Sequence, residues 1–237
     1  MHYCGAVPTR GRLQLAMLEE IRAPEPPIRL SAMFFEPGTA AQVAAELRSL
    51  GDVVLAVGAP LAEARQDGAR ACDEALKRLG VPPQPPDREA GRLAELLGDL
   101  RRYAPPGGAD GHDGAVGDGA YHDFPLFETN ADAVFCALQG RRLPAKRHPY
   151  GMQLRIEELT GDRLIDEGGD LWHRRVEELD AAACALAAHR YAVGHASWLG
   201  DPDEAVLVLP GSSLPEEFAT RGVMPPVERL QLPPVTE

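Results

Sequence analysis

Residues 52–60 read DVVLAVGAP, a near-continuous apolar run rich in β-branched side chains and closed by Gly and Pro. That is the pattern of a strand buried on both faces, which arises where helices cover both sides of a sheet. Working outward, HYCGAV (2–7) and RLQLAMLEEI (12–21) are partly alternating apolar runs separated by the turn PTRG, a hairpin signal. IRLSAMFF (28–35) reads as a third strand after the Pro-rich APEPP. Thr39 suits the N-cap of AAQVAAELRSL, where Val43, Leu47 and Leu50 recur at helical spacing before Gly51 stops the helix. Three strands, a helix and a buried strand make an α/β order.

Downstream, GARACDEALKRLG (68–80) predicts a helix ended by the proline-dense VPPQPPD, and 88–103 predicts a second amphipathic helix. Residues 104–120 are nearly devoid of apolar side chains and rich in Gly, so they predict a flexible surface loop; His112 and Asp113 within it read as solvated linker rather than metal ligands. YHDFPLFE (121–128) is the last core strand, followed by a helix at 131–139, a basic loop and a helix around 150–160. The longest helix starts near Asp170 and runs to Gly194, and AVLVLP (205–210) reads as a short edge strand. One domain, 1–210, is expected, with a Pro-rich tail over 211–237 lying on the surface.

With 237 residues, 44% of them hydrophobic, the chain has ample material for a core. Its net charge of -12 argues against a generic nucleic-acid coat, which needs a basic face. Cys4, Cys72, Cys136 and Cys184 lie far apart with no C-x-x-C pair, which predicts reduced thiols in a cytoplasmic protein. No segment resembles a signal peptide, and no apolar run approaches the ~18 residues of a membrane helix. Neither a phosphate-binding G-x-x-x-x-G-K-[ST] nor a G-x-G-x-x-G is present. The oligomeric state is left open, a homodimer being compatible.

Two carboxylates stand out. Glu128 follows PLF at the expected carboxyl end of a strand, where open α/β sheets put ligands, and the basic run Arg141, Arg142, Lys146, Arg147 and His148 comes after it. Asp180 shares a helix face with Val176, Ala183, Cys184 and Ala187, and an ionised carboxylate on so apolar a face is costly unless paired or metal-bound. The spacing leaves both alternatives open. Arg70, Lys146, Arg147 and Arg155 could together clamp a phosphate or carboxylate, although basic loop residues are more often simply solvated. Cys72 reads as a buried structural thiol, and Asp73 as an acid favoured by a helix N-terminus.

AVGAP (56–60), RACDEALKRLG (70–80), FETNADAVFCALQGRRLPAKRHPYGMQLR (127–155) and ELDAAACALAAHRYAVGHASWLGDPDEAVLVLP (178–210), in this order, resemble the family called domain of unknown function 429, regarded as nucleases of RNase H-like fold. The resemblance implies a mixed sheet, three antiparallel strands followed by parallel ones, flanked by helices. It also implies a cluster of acids holding Mg²⁺ or Mn²⁺ for phosphodiester hydrolysis, since two hard cations about 3.5–4 Å apart clamp the attacking and leaving oxygens. Glu128 and Asp180 match two of the acids. Val7 and Gly58 stand where the family has the other two, which removes the acid expected to bridge the metals.

Three readings follow. The first is a degenerate member kept for binding or interaction. The second is a live nuclease with a reduced site of Glu128 and Asp180, aided by Glu178 or Asp73. The third is a binder of small anionic ligands through Arg70, Lys146, Arg147 and Arg155. Nucleic acid or a small phosphate ligand is the implied partner.

Overall fold

The computed structural model describes residues 1–23, 28–61, 70–97, 126–166, 168–201 and 204–219. The predicted Gly-rich loop at 104–120, with His112 and Asp113, lies outside the described residues, as do the end of the helix expected at 88–103 and the start of the strand expected at 121–128.

Among the described residues, seven strands form one mixed sheet: β1 (His2–Thr9), β2 (Arg12–Arg22), β3 (Ile28–Phe34), β4 (Val53–Val57), β5 (Leu126–Glu128), β6 (Ala196–Asp201) and β7 (Ala205–Pro210), in the order β3-β2-β1-β4-β5-β7-β6. β1, β2 and β3 are mutually antiparallel, and β4 and β5 continue parallel to β1. The sheet is therefore the expected RNase H-like arrangement, extended by the antiparallel pair β6–β7. The helices are α1 (Ala40–Leu50), α2 (Ala71–Arg78), α3 (Arg88–Leu97), α4 (Ala131–Gln139), α5 (Pro149–Gly161) and α6 (Val176–Ala192). Thr39 does cap α1, accepting from the Gln42 backbone while the Gln42 side chain accepts from the Thr39 N–H.

Alternation along the strands splits the core into two layers. Cys4, Leu13, Leu15, Met17, Val53, Leu55, Val57 and Leu126 pack with α1 and α3. Tyr3, Val7, Leu18, Val54, Ala56 and Phe127 pack with α4 and α6 on the other face. α6 presents mostly alanines, which lets it approach β1 until the backbones touch. A Cβ on Gly5 would lie 2.1 Å from the Ala181 carbonyl oxygen and 2.3 Å from the Ala185 nitrogen.

Three expectations are corrected. AVLVLP forms β7 in the interior of the sheet, between β5 and β6, and the edge is β6, a strand whose sequence ASWLGD shows no apolar alternation. Its Gly200 leaves room for α2, since a Cβ there would come within 2.7 Å of the Cys72 Cβ. The helix expected from Asp170 is a short 3-10 turn, Asp170–His173, followed by a break at Arg174–Arg175 before α6 begins. Finally, the segment after Gly211 is not wholly superficial. Phe218 is buried, its N–H donates to the Leu79 carbonyl, and the Arg142 N–H donates to the Ala219 carbonyl. One large aromatic side chain suffices to dock an otherwise aperiodic segment.

Candidate functional site

β1 and β4 run side by side, β4 ending at Val57 opposite Ala6 of β1, and α6 packs against both strands. Val7, within β1, and Gly58, just past the end of β4, face α6 and Cys184: a Cβ on Gly58 would meet Val7 Cγ1 at 2.8 Å and Cys184 Sγ at 2.9 Å. Where the resemblance placed two acids, the chain has packed a valine, a bare backbone and a thiol. Above them opens a cleft of about 380 Å³ whose walls include Val7, Gly58, the proline-dense turn at 82–86, Asp132, Lys146, Arg147 and Asp180.

Asp180 projects from the second turn of α6 into this cleft and is only 5% exposed. Lys146 Nζ donates to its Oδ2 at 2.6 Å and lies 3.7 Å from Asp132 Oδ2. Asp132 Oδ1 in turn accepts from Arg155 Nη2 at 2.8 Å. Arg155 is itself buried, donates to the Pro144 and Gly151 carbonyls, and stacks 5.3 Å over the Phe135 ring. The other oxygen of Asp180, Oδ1, is buried without a hydrogen-bond partner among the described residues. Burial pushes the Asp180 carboxyl up to about 6, the Lys146 ammonium opposing it. Burial works against the charge of Lys146 as well, but Asp180 and Asp132 together hold its pKa above the ordinary value.

Glu128 belongs to a different constellation. Along β5, Leu126 packs in the α1/α3 layer while Phe127 stacks on Tyr191 of α6, with centroids 4.9 Å apart. The pleat therefore turns Glu128 to the face opposite α6, and its hydrogen-bond partners are not those of Asp180. Glu128 instead receives both prongs of the Arg70 guanidinium, at 2.7 Å each, and the Leu61 N–H at 3.1 Å. Arg70 Nε and Nη2 also donate to Asp73 at 2.8 Å. Burial raises the Glu128 pKa, the Arg70 hydrogen bonds pulling the other way. Potential ligand atoms of Cys72, Asp73 and Glu128 lie within 4.8 Å of one another, yet Arg70 already sits on both carboxylates. Burial, with Glu128 adding to it, pushes the Cys72 thiol up to about 12, so it stays protonated at neutral pH.

The anion clamp expected of Arg70, Lys146, Arg147 and Arg155 is likewise divided. Arg70 is 2% exposed and Arg155 3%, both bound to carboxylates of the protein itself. Arg147 is exposed at the rim of the cleft, next to Lys146. His148 caps α5, its Nδ1 accepting from the Tyr150 N–H. Glu178, a candidate helper, accepts from the Arg175 backbone and side chain and from Arg174 at the start of α6. Burial would raise its pKa, but the Arg175 and Arg174 hydrogen bonds win and hold it low.

Asp132 is the residue that the sequence reading missed. Its only signal was a place in the first turn of α4, where an acid is expected for electrostatic reasons alone.

No family model matches the chain, and no curated protein matches it. Among solved structures, RuvC from Thermus thermophilus matches with a TM-score of 0.37 and 16% identity, over 81% of this chain and 95% of that one. The RNase H-like architecture stands on the strand order and directions of this chain.

Proposed function

We propose that this is a degenerate RNase H-like protein, related to the domain of unknown function 429 family, whose cleft at the ends of β1 and β4 binds rather than cuts. One observation carries the reading: at the carboxyl ends of the sheet the chain offers Val7 and Gly58, and it turns Glu128 away from Asp180 onto Arg70. Hydrolysis by metal ions needs acids that converge on one point. The residues present do not fit a two-metal centre, and no step of a nuclease reaction is derived for them.

The test is cleavage of plasmid DNA, single-stranded DNA and RNA with Mg²⁺ or Mn²⁺ present. No cleavage above background is expected, and robust metal-dependent cleavage that Asp180→Asn abolishes would overturn the reading.

What the cleft binds is the second part of the proposal. Lys146 and Arg147 line both it and an adjoining depression of about 450 Å³, which Arg142 also lines. Such a rim favours a small phosphate- or carboxylate-bearing ligand over a long polyanion, given the net charge of -12. A thermal-shift screen of anionic metabolites should find a stabilising ligand whose effect Arg147→Ala weakens; a screen without any such ligand would remove this part.

A further inference from the structure

We propose that the Lys146 ammonium is a built-in replacement for a divalent cation, and that Asp132 and Asp180 beneath it form a latent Mg²⁺ or Mn²⁺ site that opens when this one side chain is removed. The inference rests on the non-hydrolytic reading above and explains how a cleft of this ancestry stays electrically quiet without metal.

The geometry is that of a cation seat. Nζ stands 2.6 Å from Asp180 Oδ2 and 3.7 Å from Asp132 Oδ2, drawing two carboxylates from different helices toward one positive charge. Two acids this close repel unless a cation lies between them. Arg155 fixes Asp132 from behind through Oδ1, leaving Oδ2 for the cleft. A second and independent observation is Asp180 Oδ1. It belongs to a side chain more than nine-tenths buried, in the cleft wall, and has no partner among the described residues. Buried carboxylate oxygens are ordinarily satisfied, and this one would gain a partner from a cation seated where the Lys146 ammonium now lies.

Without Lys146, Asp180 Oδ2 and Asp132 Oδ2 would face the same space, with Asp180 Oδ1 beside them on the same carboxylate. Hard cations take such oxygens and complete their shell with water, needing only one or two carboxylates from the protein. Lys146 is also the removable part: it reaches in from a loop and is 34% exposed, so its loss leaves no cavity in a packed core. Arg70, a further internal cation on a carboxylate, is fully enclosed, and its removal would strand Glu128 instead of opening a site.

The experiment compares wild type, Lys146→Met, Lys146→Gln, Asp180→Asn and the double variant K146M/D180N by Mn²⁺ titration near neutral pH. Binding is read as loss of the free-ion electron paramagnetic resonance signal and by calorimetry. Wild type should take up no Mn²⁺ at the cleft, while K146M or K146Q should bind one ion at least about tenfold more tightly, and K146M/D180N should return to the wild-type level. Wild-type binding that D180N abolishes would overturn the proposal, and so would folded lysine variants that bind no better than wild type. The two lysine variants guard against a folding failure in either. Nucleic-acid cleavage is assayed separately: wild-type cleavage defeats the non-hydrolytic reading, whereas a metal titration without gain defeats only the replacement of a cation by Lys146.

Discussion

The guanidinium of Arg70 lies edge-on to the carboxylate of Glu128, Nη1 and Nη2 each 2.7 Å from one oxygen, with both residues at most 5% exposed. A bidentate fork of this kind fixes both side chains, and its burial makes each dependent on the other. A carboxylate that receives two Arg prongs and the Leu61 N–H ties β5 to the segment leading into α2.

Removing one member of this pair should therefore be severe. Arg70→Met is expected to lower unfolding stability by about 3–5 kcal/mol, because Glu128 would remain as an uncompensated buried charge. The double variant R70M/E128L should recover most of that loss. Urea denaturation of the two variants checks both statements, and equal stabilities for R70M and R70M/E128L would contradict them.

Asp180 has the opposite consequence for pH. Its folded pKa of about 6 lies above the ordinary value of 3.8, so between these values the folded protein takes up a proton more readily than the unfolded chain. This term is harmless below the unfolded value, and stability is lost as pH rises through the window. The stability of wild type relative to Asp180→Asn should accordingly improve by about 1–3 kcal/mol as pH falls from about 7 to about 4. Denaturation curves at a series of pH values read the difference directly, and a flat difference would show that Asp180 is not strained by its burial.

Gly5 is predicted to be the least forgiving position in β1. A methyl group there meets the backbone of α6, at the Ala181 oxygen and the Ala185 nitrogen, and not the movable end of a side chain. Gly5→Ala should cost about 3 kcal/mol or more, the upper range for overpacking, because helix and strand must separate. The midpoint of thermal unfolding is a sufficient readout, and a change within error would show that α6 yields more easily than its packing implies.

Metal should have little influence on the native protein. In about 10 mM Mg²⁺, a site with a dissociation constant near 0.1 mM would add about 2.7 kcal/mol. For a chain of this length that is several degrees of melting temperature. The expectation is a shift below about 1 °C, whether Mg²⁺ or a chelator is added, measured by differential scanning fluorimetry.

Much of this architecture was legible in the residues, and the exceptions have physical causes. The buried run DVVLAVGAP, the Thr39 cap and the strands over 2–35 announced themselves because period, capping and turn chemistry agreed locally. β6 did not, because ASWLGD is stabilised by its partner β7 and by α2 packing on Gly200, neither of which is a local property. The arrangement around these residues was illegible for a similar reason. Glu128 stands at the carboxyl end of a strand, as expected, but which face it takes is settled by Phe127, which must reach Tyr191. The Asp132–Lys146–Asp180 group joins α4, a loop and α6, and no spacing along the chain reveals a meeting of three separate segments.

The contact of Gly58 with Val7 and Cys184 bears on how a further acid could be placed beside Asp180. An aspartate introduced at Gly58 alone would bring its Cβ within 2.8 Å of Val7 Cγ1 and 2.9 Å of Cys184 Sγ, so those neighbours would have to shift. Shrinking Val7 first opens a void under α6, and neither intermediate has a compensating charge to hold, because Lys146 already occupies Asp180 Oδ2. Each single step is thus penalised until the others are in place. Building a cluster of acids here would mean changing Val7, Gly58, Cys184 and Lys146 together.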